Sequence, residues 1–328
     1  MSKKIFLATH TDLDGIGCAV LAYLAFGQDN VDVEYCDYKD VDEKVEKTIE
    51  SELFERTYDK IFITDISVGE KVANMIEYEA KRLDVVLLDH HATAIYLNDY
   101  EWANVRVTDK GGVKTSGTMM FYRYLEREGY FDDTFTNNQL KNTARFAEVV
   151  RDYDTWRWKE LGDEGIVCKQ LNDLFHIYGR DIFVSEWAMN NILGRVDFPH
   201  FDYTDTLLLE NKQKDIDIYI SQKNKQLMTV KDNFGYTCGV VFAERHFSEL
   251  GNKLSELHPE LDYIAMIDMG FGGVSYRTVK DDIDLGGEIA HSFGGGGHRK
   301  AAGSTFDGIG VRGVVINQII GLGDEIIS

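Results

Sequence analysis

Four short apolar runs, each leading straight into acidic or imidazole side chains, constrain this chain more than any other feature. Val85-Val86-Leu87-Leu88 meets Asp89, His90 and His91; Ile5-Phe6-Leu7-Ala8-Thr9 meets His10, Asp12 and Asp14. Ile61-Phe62-Ile63-Thr64 meets Asp65, and Phe146-Ala147-Glu148-Val149-Val150 leads to Asp152 and Asp154. Runs this short predict buried strands. In an open α/β sheet, ligands gather beyond the carboxyl ends of the strands, where side chains are exposed and aimed at a common region.

The stretches between these runs have helical character, at 17–25 and 41–53, with further strands expected at 31–35 and 105–108. Strands alternating with helices imply a parallel sheet covered on both faces. Thr115-Ser116 offers an N-cap for a helix over 117–125, and 138–150 reads as a helix or helix–strand. Residues 206–230 space apolar side chains at helical intervals and predict a long connecting helix, with a boundary near Asn233. After it come strands at 237–243, 263–269 and 273–278. The expected fold is α/β: an N-terminal doubly wound, mostly parallel sheet domain (1–165), a helical linker (166–233) and a smaller α/β domain (234–328).

The chemistry follows from the residue types. Imidazoles and carboxylates without a thiolate suit borderline to hard divalent ions. There are more candidate ligands than one ion needs, which points to two ions bridged by a carboxylate. Such pairs activate water and stabilise both oxygens of an in-line displacement at phosphorus. Asp65, alone after its strand, is the expected bridge. His10 and Asp12 would hold one ion; Asp14, His90 and Asp152 the other, with Asp154 as the alternative to Asp152. His90 is expected to ligate, and His91 to touch substrate phosphate or donate a proton. Asp99, Asp109 and Asp132 read as turn or cap residues.

Near the C-terminus, Gly294-Gly295-Gly296-Gly297-His298-Arg299-Lys300 lets backbone N–H groups converge on an anion without obstruction by Cβ atoms. Arg277 on a strand adds charge, so the run is read as a phosphate cradle. Tyr276 and Phe293 are candidates for base stacking or for core packing.

Composition narrows the partners. A net charge of −21 argues against a duplex-binding surface, though not against a nucleotide held through cations. No apolar run approaches the length of a membrane span, and the N-terminus lacks a signal-peptide core. The four cysteines, at 18, 36, 168 and 238, form no C-x-x-C pair, so reduced thiols and a cytoplasmic location are expected. Gly15-Ile16-Gly17 with Glu34 faintly matches a dinucleotide fingerprint, but Val20 stands at the third glycine position and Asp12 and Asp14 would repel a pyrophosphate. A metal-dependent nucleotide-binding regulator without turnover would use the same ligands.

Asp89-His90-His91, taken with His10-Thr11-Asp12-Leu13-Asp14-Gly15, Asp65 and the Asp152 stretch, resembles the DHH phosphoesterase superfamily. Ile289 to Gly303, preceded by Val274 to Thr278, resembles its DHH-associated C-terminal domain. Many relatives space the first motif H-x-x-x-D-x-D, whereas this chain has H-x-D-x-D. The resemblance is strongest to the oligoribonuclease (nanoRNase) branch. It implies two Mn²⁺ ions, with Mg²⁺ or Co²⁺ as substitutes, and catalysis by His91, Asp65 and Asp89. It also implies substrate phosphate on Arg277, Gly295, Gly296, Gly297, His298 and Arg299. The implied substrate is short RNA or a dinucleotide, not duplex DNA, with a homodimer as one possible assembly. Related activities act on linear or cyclic dinucleotides, adenosine 3′,5′-bisphosphate, or single-stranded DNA from an end.

Overall fold

A computed structural model describes residues 3–131 and 135–320; Asp132 lies outside them. The chain divides into two compact units, at Leu209 and Glu210.

The first unit is built on five parallel strands. β1 (Ile5–His10), β2 (Val31–Cys36), β3 (Lys60–Thr64), β4 (Val85–Asp89) and β5 (Ala103–Val105) lie in the order β2-β1-β3-β4-β5. Successive strand residues point to opposite faces, and both faces are filled. Ile5, Leu7, Phe62 and Leu88 enter a core with α1 (Leu13–Phe26), α4 (Gly117–Arg127) and α5 (Asn137–Asp154). Phe6, Ala8, Ile61, Ile63 and Leu87 enter a second core with α2 (Val41–Glu52) and α3 (Glu70–Tyr78). A fully buried side chain of this size contributes about 1.5–3 kcal/mol, so each strand is anchored from both sides. The doubly wound sheet expected from the alternation is present.

Three expectations change. Phe146–Val150 is not a strand but the interior of α5. Phe146, Val149 and Val150 are buried together, at helical spacing, and Thr136 with Gln139 forms a capping box at the helix start. The expected fifth strand lies at Ala103–Val105, earlier than 105–108. The long helix runs Tyr203–Asn224, and residues 228–231 instead form β6 (Met228–Lys231), antiparallel to β7 (Thr237–Phe242).

The second unit carries a mixed six-stranded sheet in the order β10-β11-β9-β8-β7-β6. Its remaining strands are β8 (Tyr263–Asp268), β9 (Gly273–Arg277), β10 (Gly296–His298) and β11 (Ala301–Thr305). Among its described strands only β7 and β8 pair in parallel. One core joins Ile216, Tyr219 and Ile220 to Val241, Leu250 and Met266; another gathers Tyr263, Tyr276, Ile283 and Leu285. Part of the glycine run is therefore a strand and not a free loop. No described helix is long and apolar enough to cross a membrane.

Candidate functional site

The parallel strands deliver their last residues to one edge. β1 ends at His10, β3 runs into Asp65, and β4 ends at Asp89 before His90 and His91. Asp12 caps α1: one carboxylate oxygen accepts the Asp14 and Gly15 amides, both at 3.1 Å. Its other oxygen lies 3.0 Å from His10 Nδ1. Asp14 faces the start of α4, where its carboxylate accepts the Gly117 and Thr118 amides at 2.6 and 2.9 Å. A helix N-terminus favours a carboxylate, so α4 fixes Asp14 from more than a hundred residues away.

Glycines make this approach possible. A Cβ on Gly117 would lie 2.4 Å from Asp65 Cβ, and one on Gly17 would lie 2.2 Å from Thr118 Oγ1. A Cβ on Gly15 would meet the His10 carbonyl oxygen at 2.2 Å. The Gly15–Gly17 pair is thus explained by packing of α1 against β1 and α4.

Ligating atoms converge in three overlapping groups: His10, Asp12 and Asp65; Asp14, His90 and Asp154; and Asp65, Asp89, His90 and His91. Within each, the candidate atoms lie inside 4.8 Å of one another. His90 Nε2 stands 3.1 Å from Asp65 Oδ1, 3.6 Å from Asp14 and 3.7 Å from Asp154. Asp152 does not join them. Its carboxylate is buried against Arg151 and Arg157, at 2.8 and 3.0 Å. Asp154, at the end of α5, reaches the cluster in its place.

Electrostatics sharpen the picture. Burial, then the charges of Asp14 and Asp12, pushes Asp65 well above the usual carboxylate range. The same causes raise Asp154. Burial lowers His90, keeping its imidazole neutral and able to ligate. Asp65 Oδ2 is buried without a hydrogen-bond partner among the described residues, and His10 Nδ1 faces only the Asp12 carboxylate at 3.0 Å and Asp65 Oδ2 at 3.9 Å. A neutral imidazole and several carboxylate oxygens, crowded together and incompletely paired, form a donor set that fits divalent cations.

His91 is set apart. Its Nδ1 bonds Asp89 Oδ1 at 2.7 Å, and Asp89 is buried, accepting the His90 amide at 2.7 Å and the Ser67 hydroxyl at 2.5 Å. The Asp89 contact raises the His91 pKa. Nε2 points the other way, 3.2 Å from the Tyr38 hydroxyl. A cavity of about 250 Å³ adjoins it, lined in part by Tyr38, Ser67, Asp89 and Tyr96. Tyr38 and Ser67 carry no sequence signal of this role.

In the second unit, Arg277 on β9 pairs with Ala301 on β11, which pairs with His298 on β10, so the three share one row. Arg277 donates to the Tyr276 carbonyl at 2.8 Å and to Ser248 at 3.3 Å. Gly294 and Gly297 have φ of +71° and +140°, which favour glycine. A Cβ on Gly295 would strike the Gly303 carbonyl oxygen at 2.1 Å. Gly296 and His298 are exposed, and Arg299 donates to the Asp281 carbonyl at 3.0 Å. Tyr276 is buried, its hydroxyl 2.8 Å from Ser304, so it is a packing residue; Phe293 is half-exposed against Phe234.

A parallel sheet whose strand ends present Asp-His-His beside an H-x-D-x-D turn defines a phosphoesterase of the DHH type. Residues 4–150 match the DHH family, N-terminal domain, and the chain belongs to that family. Oligoribonuclease NrnB of Bacillus subtilis (strain 168) is 38% identical over 300 residues, spanning 91% of this chain and 72% of that protein. Two solved structures share the fold at 14% identity. The DHH domain of a member of a ribosomal-protein family matches with a TM-score of 0.57, over 98% of this chain and 87% of that one. Exonuclease RecJ bound to manganese matches with a TM-score of 0.53, over 98% and 91%.

Proposed function

We propose that this protein is a divalent-metal-dependent phosphodiesterase that cleaves very short oligoribonucleotides to mononucleotides. The observation carrying the reading is the convergence of His10, Asp12, Asp14, Asp65, His90 and Asp154 at one sheet edge, with Asp65 common to two ligand groups. Two ions held there, manganese first and magnesium or cobalt as substitutes, would supply water activation and charge stabilisation at phosphorus. His10, Asp12 and Asp65 would hold one ion, and Asp14, His90 and Asp154 the other, with Asp65 between them.

The chain's own residues do the rest. Asp89, held by Ser67 and the His90 amide, orients His91 so that Nε2 faces outward. His91, its pKa raised by Asp89, carries a proton to the departing sugar oxygen or meets a phosphate oxygen. Gly295, Gly296, Gly297, His298 and Arg299, with Arg277, form the phosphate-recognising edge of the second unit, which we read as a substrate-binding domain. The relationship to an oligoribonuclease supports short RNA as substrate. Four buried, unbridged cysteines are in keeping with a cytoplasmic enzyme.

A substrate panel with Mn²⁺ tests the proposal: short RNA, short DNA, linear and cyclic dinucleotides, adenosine 3′,5′-bisphosphate and pyrophosphate. Mononucleotide release from short RNA above all other arms is expected. No turnover of any phosphodiester would leave a binding protein instead.

A further inference from the structure

A second cluster of chemistry lies at the outer edge of the first unit. We infer that the cavity between β4, β5, the loop over 106–115 and α4 is a binding site for a nucleoside monophosphate group. It encloses about 380 Å³, within the size range of small-molecule sites. Its lining includes Asn104, Arg106, Lys110, Arg123, Tyr124 and Arg127.

Charge is the first argument. Four cations line one cavity in a chain whose net charge is −21, and Asp109 is the only carboxylate among the lining residues. Asp109 is already committed. It accepts the Gly111 and Val113 amides at 2.8 and 3.1 Å and pairs with Arg123 at 3.3 Å. Arg127 pairs with Glu128, the residue that follows its helix, in an exposed contact 3.0 Å long. Among the described residues the Arg106 guanidinium bonds only the neutral Asn104 side chain, at 2.8 Å, and Lys110 has no ion pair. Guanidinium and ammonium groups left in this state suit a phosphate dianion.

The apolar floor is the second argument. The partly exposed Tyr124 ring, backed by the buried Leu88 and Met120, lines the same cavity. Lys60 bonds the Tyr124 hydroxyl at 2.7 Å, fixing the ring, and the Arg127 guanidinium lies 5.3 Å from its centroid. Inorganic phosphate would leave this surface unused, whereas a base would stack on it. Thr115, which also lines the cavity, is 3% exposed, and its hydroxyl has no partner among the described residues.

The cavity shares elements with the metal centre. Leu88 directly precedes Asp89, and Thr115 precedes the Ser116 that caps α4. The choice of a nucleotide over another aromatic phosphate rests on the proposed nuclease function; the charge and shape do not.

Calorimetric titration in excess EDTA tests the site, with adenosine 5′-monophosphate, adenosine and inorganic phosphate as probes. Adenosine monophosphate should bind wild-type protein and Asp65→Asn equally, and the other two probes more weakly. The double variant Arg106→Ala/Lys110→Ala, shown folded by circular dichroism, should bind it roughly tenfold more weakly or worse. Equal affinity in the double variant, or loss of binding in Asp65→Asn, would overturn the inference. With Mn²⁺ present, two sources of the phosphate separate. A KM increase confined to RNA longer than a dinucleotide marks a substrate's distal phosphate; an unchanged KM marks a free mononucleotide. Turnover of short RNA by wild-type protein reads the nuclease proposal separately. Its absence, with adenosine monophosphate binding intact, would sink that reading and leave this site standing.

Discussion

Asp65 adopts φ +59°, a conformation that residues bearing a side chain rarely take, at the centre of the ligand cluster. Such backbone costs about 1–3 kcal/mol and persists where surrounding structure enforces it. Burial beside Asp12 and Asp14 adds repulsion to that strain. A carboxyl whose folded pKa lies above its unfolded value destabilises the fold as pH rises from the ordinary carboxylate range towards the raised pKa. Asp65→Asn should therefore unfold at a higher temperature than wild type in EDTA at neutral pH. In Mn²⁺ the order should reverse, with activity down about 10³-fold or more, because an amide would not bridge the two cations proposed for this site. Calorimetry with and without metal reads both outcomes; unchanged turnover in the variant would remove Asp65 from the mechanism. His91→Ala should lower kcat by about 10²–10⁴-fold while leaving calorimetric Mn²⁺ affinity intact. Much of this cluster was legible because strand ends announce themselves in sequence. Asp152 and Asp154 were not separable: two residues turn about 200° around a helix, so only docking of α5 decides which faces the strands. Tyr38 and Ser67 were invisible, since neither stands in a motif and only tertiary approach brings them to His91 and Asp89.

α4 organises the site more than any other helix. Its first amides hold Asp14, and the missing side chain of Gly117 lets it press against Asp65. Gly117→Ala should cost about 1–3 kcal/mol by overpacking, seen as a lower melting temperature. Mn²⁺ affinity should fall with it, because both Asp14 and Asp65 would shift. A variant that melts and binds metal like wild type would show that α4 has room to spare. The N-cap at Ser116 was readable in the sequence, while the helix's purpose was not, because its partner Asp14 lies 103 residues before Gly117 in the chain. α5 shows the converse. Its apolar run resembles a strand in a short window, and only the capping box and the buried Phe146, Val149 and Val150 spacing reveal a helix.

At the scale of the whole molecule, charge sets a limit on substrate. With −21 overall, phosphates beyond the recognised end meet a net repulsive field. kcat/KM should fall as RNA lengthens from about five to twenty-odd nucleotides, measured by single-turnover digestion at fixed Mn²⁺ and salt. A rate rising with length would indicate a processive exonuclease. His298→Ala or Arg277→Ala should raise KM and leave metal binding intact; loss of bound Mn²⁺ would assign these residues to the metal centre. The α/β class and the parallel first sheet were legible from the alternation of strands and helices, whereas the strand within the glycine run was not, because three residues of edge pairing leave no periodicity. The Asp14–α4 clamp also bears on how the protein is made. A nascent chain ending before Gly117 holds all five parallel strands, yet lacks the amides that orient Asp14, and Asp154 comes later still. Any ion captured there at native strength must arrive after that docking, so metal loading would act as a late checkpoint that locks a completed fold rather than a seed that starts one.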